Sequence, residues 1–230
     1  MKEGYKEEFK FFCLALSLMV IFTSPNLVFL IIDVLPLGDS QLAPIACYAA
    51  FLAFVYAFGI TLDAIVPYSV KEWLLYPSVK GRGILRPGCK VFSRIGSGKL
   101  RDDRFRIEDA RVRYACQIES CGKMGAEESA IYQNSCWYQL YRLHCDLASV
   151  KSNNIGYLYS RDASVLSFAV FALSLAVNIV SRLLMNSFMI DAFSIAFLFV
   201  VAVVCSFSAR AKAKRLVVTV IACDLASDRK

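Results

Sequence analysis

ASVLSFAVFALSLAVNIVSRLL, residues 163–184, and MIDAFSIAFLFVVAVVCSF, residues 189–207, are the stretches whose reading decides the fold. Each is close to the roughly 20 mostly apolar residues that cross about 30 Å of hydrocarbon at about 1.5 Å per residue. Arg182 and Asp191 are the only charged residues in them. The link at 186–188 is so short that the pair must form a tight helical hairpin. Two earlier blocks read the same way. Residues 11–32 are broken only by Ser24, Pro25 and Asn26, with a kink expected at Pro25. Residues 44–66 hold Asp63 near their end, and a short acidic link at 33–41 makes these two blocks a second hairpin.

The composition agrees. The 230 residues are 57% hydrophobic, with a mean hydropathy of +0.52, against roughly 45–50% apolar for soluble domains. The excess sits in the four blocks, which argues against a free cytosolic enzyme, a disordered chain and a disulfide-framed secreted module. The expected fold class is therefore mainly α: a polytopic membrane protein with four transmembrane helices in two hairpins and a cytoplasmic helical insert. Residues 11–32 do not fit a cleaved signal peptide. They are too long for its apolar region, hold Pro25-Asn26 midway and lack a small-x-small cleavage site.

Charge sets the topology. Of 26 Lys and Arg, sixteen lie within residues 68–161, six follow Ala209, three precede Phe11, and only Arg182 remains. Positive charge marks the cytoplasmic side, so both termini and the insert are expected there. The expected organisation is an N-terminal transmembrane hairpin at 1–67 and a basic cytoplasmic insert at 68–161. A C-terminal transmembrane hairpin at 162–208 and a basic tail at 209–230 follow.

The insert balances sixteen basic against nine acidic residues. Residues 77–98, rich in Gly and Pro, predict irregular or short-stranded structure with a turn at Pro87-Gly88. A helix capped by Asp102 or Asp103 is expected next, with Ile107, Ala110, Tyr114, Ile118 and Cys121 on one face. Gly122 and Gly125 end it. A second helix is expected from about Glu127 to about Ala148, with Trp137, Leu140, His144 and Leu147 on a stripe. The basic run at 80–113 admits three readings: charge beside anionic headgroups, a site for a nucleotide or oligonucleotide, or docking of an acidic partner. Residues 90–113 lie more than twenty positions from either span, which favours a ligand or partner. Arg94, Arg101, Arg104 and Arg106 are the candidate ligand-binding residues.

Catalytic and metal chemistry are not expected. Cys116, Cys121, Cys136 and Cys145 adjoin the single histidine, His144, but contain no Cys-x-x-Cys pair. Reduced, buried thiols are the expected state, with no metal and no cofactor. The chain carries no Gly-x-Ser-x-Gly, no His-Glu-x-x-His and no complete phosphate loop, so no enzyme is expected.

Charges in and near the spans are the other candidates. Asp63, about one turn inside the second block, should face the bundle interior or water and is the candidate for a cation path. Asp33, Asp39 and Asp191 leave the outer links acidic, and in a symmetric oligomer each becomes a ring that favours cations. Arg182 and Asp191 are expected to pair. Asn178 is a candidate for helix–helix hydrogen bonding. After the fourth block, Arg210, Lys212, Lys214 and Arg215 form a basic collar. The apolar, β-branched residues 216–223 either continue the helix against the insert or lie at the interface.

Three elements carry a family resemblance: Tyr76-Pro77-Ser78 leading from the second block, residues 132–142 with Trp137, and residues 154–161 running into the third. In this layout the chain resembles four-span bacterial membrane effectors of antiphage defence, most like the effector of Hailong-type systems. The resemblance implies an oligomeric ion channel of the bacterial inner membrane, controlled by a partner nucleotidyltransferase and its nucleotide or oligonucleotide product. The expected partners are therefore the lipid bilayer, further copies of the chain, that partner or ligand, and transported ions with cations favoured. The expected function is depolarisation of the membrane on opening. The alternative is a non-conducting anchor or scaffold that recruits a soluble partner.

Overall fold

The computed structural model describes residues 9–16, 18, 43–76, 86–188 and 190–227, without the side chains of 43–48, 51, 52, 55, 62, 63 and 185. Among the described residues the structure is all helical, with no strand. Residues 9–16 are helical. They are followed by α1 (Ala43–Ile65), α2 (Tyr68–Leu75), a 3₁₀ turn (Pro87–Lys90), α3 (Val91–Gly96) and α4 (Ile107–Arg113). α5 (Ala115–Lys123), α6 (Ala126–His144), α7 (Ala148–Met185) and α8 (Ala192–Ser227) complete the order.

Two compact units result: Met1–Pro67 with Tyr159–Phe207, and Tyr68–Leu158 with Ser208–Lys230. The first contains the apolar helices. Phe9, Cys13, Leu16, Leu166, Val170 and Leu198 form its buried cluster. Gly59 permits the close approach there, since a Cβ would lie 3.3 Å from Cys13 Sγ and 3.4 Å from Leu166 Cδ2.

Within this unit α7 buries a polar stripe beside Leu166 and Val170, and over residues 172–184 its buried side chains are all polar. Ser160, Ser164, Ser167, Ser174, Asn178 and Ser181 are buried at alternating three- and four-residue steps, with one seven-residue step at Phe171. Leu173, Leu175, Val177, Ile179, Val180, Leu183 and Leu184 point outward. A helix in water buries its large apolar residues and exposes its polar ones, whereas helices that associate in lipid pack through small and hydroxyl side chains.

Two helices, α7 and α8, are long and apolar enough to cross a bilayer among the described residues, where four were expected. The most apolar stretches of both are more exposed than buried, with 39% and 28% of their residues buried. The first expected span lies mostly outside the described residues; the second is the 23-residue α1.

The second unit is built around the far half of α8. Val217, Ile221 and Leu225 join Val91, Phe92, Ile95, Leu100, Ala110, Tyr114 and Cys121 in one core. Ala209, Ala213, Leu216 and Val220 join Leu75, Tyr76, Val150 and Tyr157 in another. Residues 216–223 thus take the first of their two alternatives and continue the helix. Five consecutive β-branched residues, Val217 to Ile221, are individually weak helix formers. Burial of Val217, Thr219, Val220 and Ile221 outweighs that preference.

Local expectations are corrected in three places. The described part of 77–98 is helical rather than irregular or stranded, with Phe92 and Ile95 fully buried. Pro87 at the first position of the 3₁₀ turn starts it, because that position has no hydrogen bond to lose. The helix expected after Asp102 begins at Ile107, without a side-chain cap, and is interrupted at Tyr114, whose φ and ψ of −105° and 22° leave the helical region. The stripe on α6 stops at His144, and Leu147 is exposed in the turn before α7.

Candidate functional site

The second unit converges on a buried carboxylate that sequence reading did not single out. Asp224 lies on the last turn of α8, and three elements aim polar groups at it. The Tyr114 hydroxyl, between α4 and α5, donates to Oδ2 at 2.6 Å. His144 Nε2, at the end of α6, lies 3.0 Å from Oδ1. Because a carboxylate only accepts, that nitrogen carries the proton. Arg113 Nε lies 3.5 Å from Oδ2. Burial alone pushes the Asp224 carboxyl up, but His144, Tyr114 and Arg113 together hold it below the ordinary carboxylate range. Asp224 was invisible in the sequence because its partners lie 80 and 110 positions away.

Beside it, Thr219 forms a second junction. Its hydroxyl donates to Arg215 O at 2.8 Å and accepts from Arg104 Nη1 at 3.0 Å and Asn153 Nδ2 at 3.3 Å. Arg104 also pairs with Asp102, with Nε to Oδ1 at 2.6 Å and Nη2 to Oδ2 at 3.0 Å. The guanidinium beside Asp102 holds that carboxyl low.

The candidate ligand-binding arginines therefore divide. Arg104, though exposed, is tied to Asp102 and Thr219. Arg101 and Arg106 are exposed, and Arg94 is half-buried at the end of α3. Arg111, which was not singled out, donates from Nε to Ile95 O at 3.3 Å and from Nη2 to Gly96 O at 3.1 Å. It thereby satisfies carbonyls at the C-terminus of α3. Gly98, at φ +69°, makes the turn that follows.

The candidate pore residues also divide. Asp33 and Asp39 lie outside the described residues, and Asp63 is placed only as a position on the last turns of α1. Asp191 is the N-cap of α8, its Oδ2 accepting from Phe193 N at 2.9 Å. Arg182 donates to Asn186 O at 3.0 Å and stacks over Phe188 at 5.2 Å, which replaces the expected pairing with Asp191. Asn178 pins the hairpin to its own helix rather than bridging two helix faces. Its amide donates to Ile190 O at 2.7 Å and its carbonyl accepts from Ile190 N at 2.8 Å. Arg161 and Asp162, both buried, pair at 2.8 Å.

Among the described residues no three His, Cys, Asp or Glu side chains gather in a way that could hold a metal ion. Comparison with protein families, curated proteins and solved structures finds no match for this chain.

Proposed function

We propose that the chain is a four-span membrane protein that assembles into an oligomeric ion channel, gated through its basic helical unit. The observation that carries this reading is the inverted stretch 172–184 of α7, where Ser174, Asn178 and Ser181 are buried and Leu173, Leu175, Val177, Ile179, Val180, Leu183 and Leu184 face outward. Such a helix is at home in lipid and poorly suited to water. A helix of 36 residues rises about 54 Å, beyond the roughly 30 Å of hydrocarbon. α8 uses that length: exposed Phe193, Phe197, Phe199, Val204 and Phe207 precede the buried residues that centre the basic unit.

In this reading α8 transmits ligand binding to the bundle. Arg94, Arg101 and Arg106 receive a nucleotide, an oligonucleotide or a partner protein, and Arg104 braces the loop that carries Arg101 and Arg106 against Thr219. Asp63 lines the cation path, and Asp33, Asp39 and Asp191 make the outer mouth acidic. The resemblance to antiphage effectors suggests the setting: an inner-membrane protein with both termini cytoplasmic, opened by a nucleotidyltransferase or its product to depolarise the cell.

The test is current recorded from purified protein in planar bilayers, with and without added oligonucleotide. Discrete conductance steps with a cation-selective reversal potential are expected. Changing Arg94, Arg101 and Arg106 together to alanine should abolish the ligand response while leaving the fold intact. Asp63→Asn with unchanged conductance and selectivity would remove that residue from the pore. Silence from an intact oligomer would leave the anchor reading in its place.

A further inference from the structure

Helix α2 is turned the wrong way for a surface facing water. Its inward face buries Lys71, Glu72 and Leu75, and its outward face presents Ser69, Val70 and Trp73. Trp73 is 60% exposed and Val70 48%, while Glu72 is 4% exposed. Glu72 forms an ion pair with Arg86. Burying charge is costly even when it is paired, and exposing an indole to water forgoes a large apolar contact. Both features fit a helix whose outward side meets an apolar phase.

Two independent connections locate that phase. α2 begins three positions after α1 ends, following only Val66 and Pro67. Its other end is held by Arg210, whose Nε donates to Leu75 O at 2.7 Å. Arg210 follows Phe207, the last exposed large apolar residue of α8, by three positions. Each end of α2 is thus tied, by chain or by hydrogen bond, to a point where an apolar stretch gives way to the basic unit. That point is the lipid–water boundary if the membrane reading above holds, and the inference rests on that reading. Trp and Tyr concentrate at this depth because one side of the ring is apolar while the N–H or O–H reaches water. The Arg210 guanidinium, over Tyr76 at 6.0 Å, adds a cation at the same end of the helix.

We infer that α2 is an interfacial helix, lying in the headgroup layer with Val70 and Trp73 dipping into the acyl boundary. The occupant of its outward face is lipid.

The chain has two tryptophans, so Trp137→Phe leaves Trp73 as the sole reporter. Full-length protein is reconstituted in vesicles whose lipids are brominated either near the carbonyl end or near the methyl end of the acyl chain. Trp73 emission should fall more with shallow than with deep bromines and should resist aqueous iodide. Quenching by iodide with no effect of brominated lipid would overturn the inference, because the face then meets water. Protection from both quenchers would also overturn it, because the face is then covered by protein.

Should Trp137→Phe fail to fold, the difference in emission between the native chain and Trp73→Phe reads the same quantity. A control variant carries Phe199→Trp with both native tryptophans replaced by Phe. Quenching of that reporter by deep bromines, alongside a Trp73 exposed to iodide, would sink the interfacial helix alone. A Phe199→Trp reporter that no brominated lipid reaches would sink the membrane reading and the inference with it.

Discussion

The Tyr114 hydroxyl donates to the Asp224 carboxylate over 2.6 Å, joining the interruption between α4 and α5 to the last turn of α8. Both residues are buried, and the bond closes a loop of 110 residues. Without it the junction of α4 and α5 keeps only the longer Arg113 contact to that carboxylate, beside apolar packing, which is non-directional. The carboxylate makes the arrangement specific, since it accepts from a phenol and an imidazole whose directions differ.

Removing one partner tests that role. Tyr114→Phe should destabilise the second unit by about 1.5–3 kcal/mol, the range for a hydrogen bond to a charged group. Asp224→Ala should cost more, about 3–5 kcal/mol, because it strands the groups gathered around the carboxylate. Thermal unfolding of the purified chain, read by circular dichroism, supplies both values. Equal losses would mean that Tyr114 alone carries the junction.

The same carboxylate predicts acid sensitivity. Asp224 titrates below its ordinary value in the folded chain, so at low pH the unfolded state binds the extra proton first. Its stabilisation is fully present above the unfolded value of about 3.9 and is lost as pH falls through the folded value. Unfolding midpoints measured from neutral pH downward should hold steady and then drop below about pH 4. In Asp224→Asn that drop should shrink, with Asp102, also held low, accounting for part of what remains. An unchanged acid limb in Asp224→Asn would show that other carboxyls govern it.

The arginines should separate into structural and free classes. Arg104→Ala loses both Asp102 and Thr219 and should lower stability by about 1–3 kcal/mol. Arg101→Ala and Arg106→Ala, at exposed positions, should stay within about 0.5 kcal/mol. Chemical denaturation of the three variants side by side checks the ordering.

Glycine substitutions offer a steric contrast. At Gly96 an added Cβ would lie 2.8 Å from Ile118 Cγ2, so Gly96→Ala should be destabilising. At Gly122, inside α5, nothing lies within 4 Å, and Gly122→Ala should stabilise by about 0.5–1 kcal/mol through backbone entropy. A loss at Gly122 would contradict the packing described for α5.

Asn178 should matter more than a midspan asparagine usually does. It satisfies both the N–H and the carbonyl of the buried Ile190, and Asn178→Leu removes both partners. A loss of about 2–4 kcal/mol is expected, read as thermal stability in detergent. Asn178→Leu with native stability would show that the hairpin turn is held by other contacts.

Much of this was legible in the chain itself. The 3.6-residue spacing of Ile107, Ala110, Tyr114, Ile118 and Cys121 pointed to the face that is now core, although Tyr114 divides the helix there. The start of α6 was readable from Gly125 and the acidic pair Glu127 and Glu128 in its first turn. The helix α3 was not readable, because Pro87, Gly88 and Gly96 signal turns locally. What overrides them is the burial of Val91, Phe92 and Ile95 in a core shared with Ala110, Tyr114 and Cys121 and with Val217, Ile221 and Leu225 far along the chain. The candidate ligand-binding arginines were equally opaque: charge can be counted in a sequence, but whether a guanidinium is held by the fold depends on which acceptor folds next to it.

By itself the sequence determined that the chain is helical and that its apolar length is segregated from its basic length, since composition and periodicity are local properties. Tertiary structure alone decided that residues 209–227 belong to the core of the basic unit and that Asp224 is the acceptor around which it closes. It also decided that residues 172–184 of α7 turn Ser174, Asn178 and Ser181 inward and their leucines outward. Those outcomes depend on which surfaces meet, and a buried carboxylate or an inverted helix face is stable only where partners distant in the chain, or an apolar surrounding, make it so.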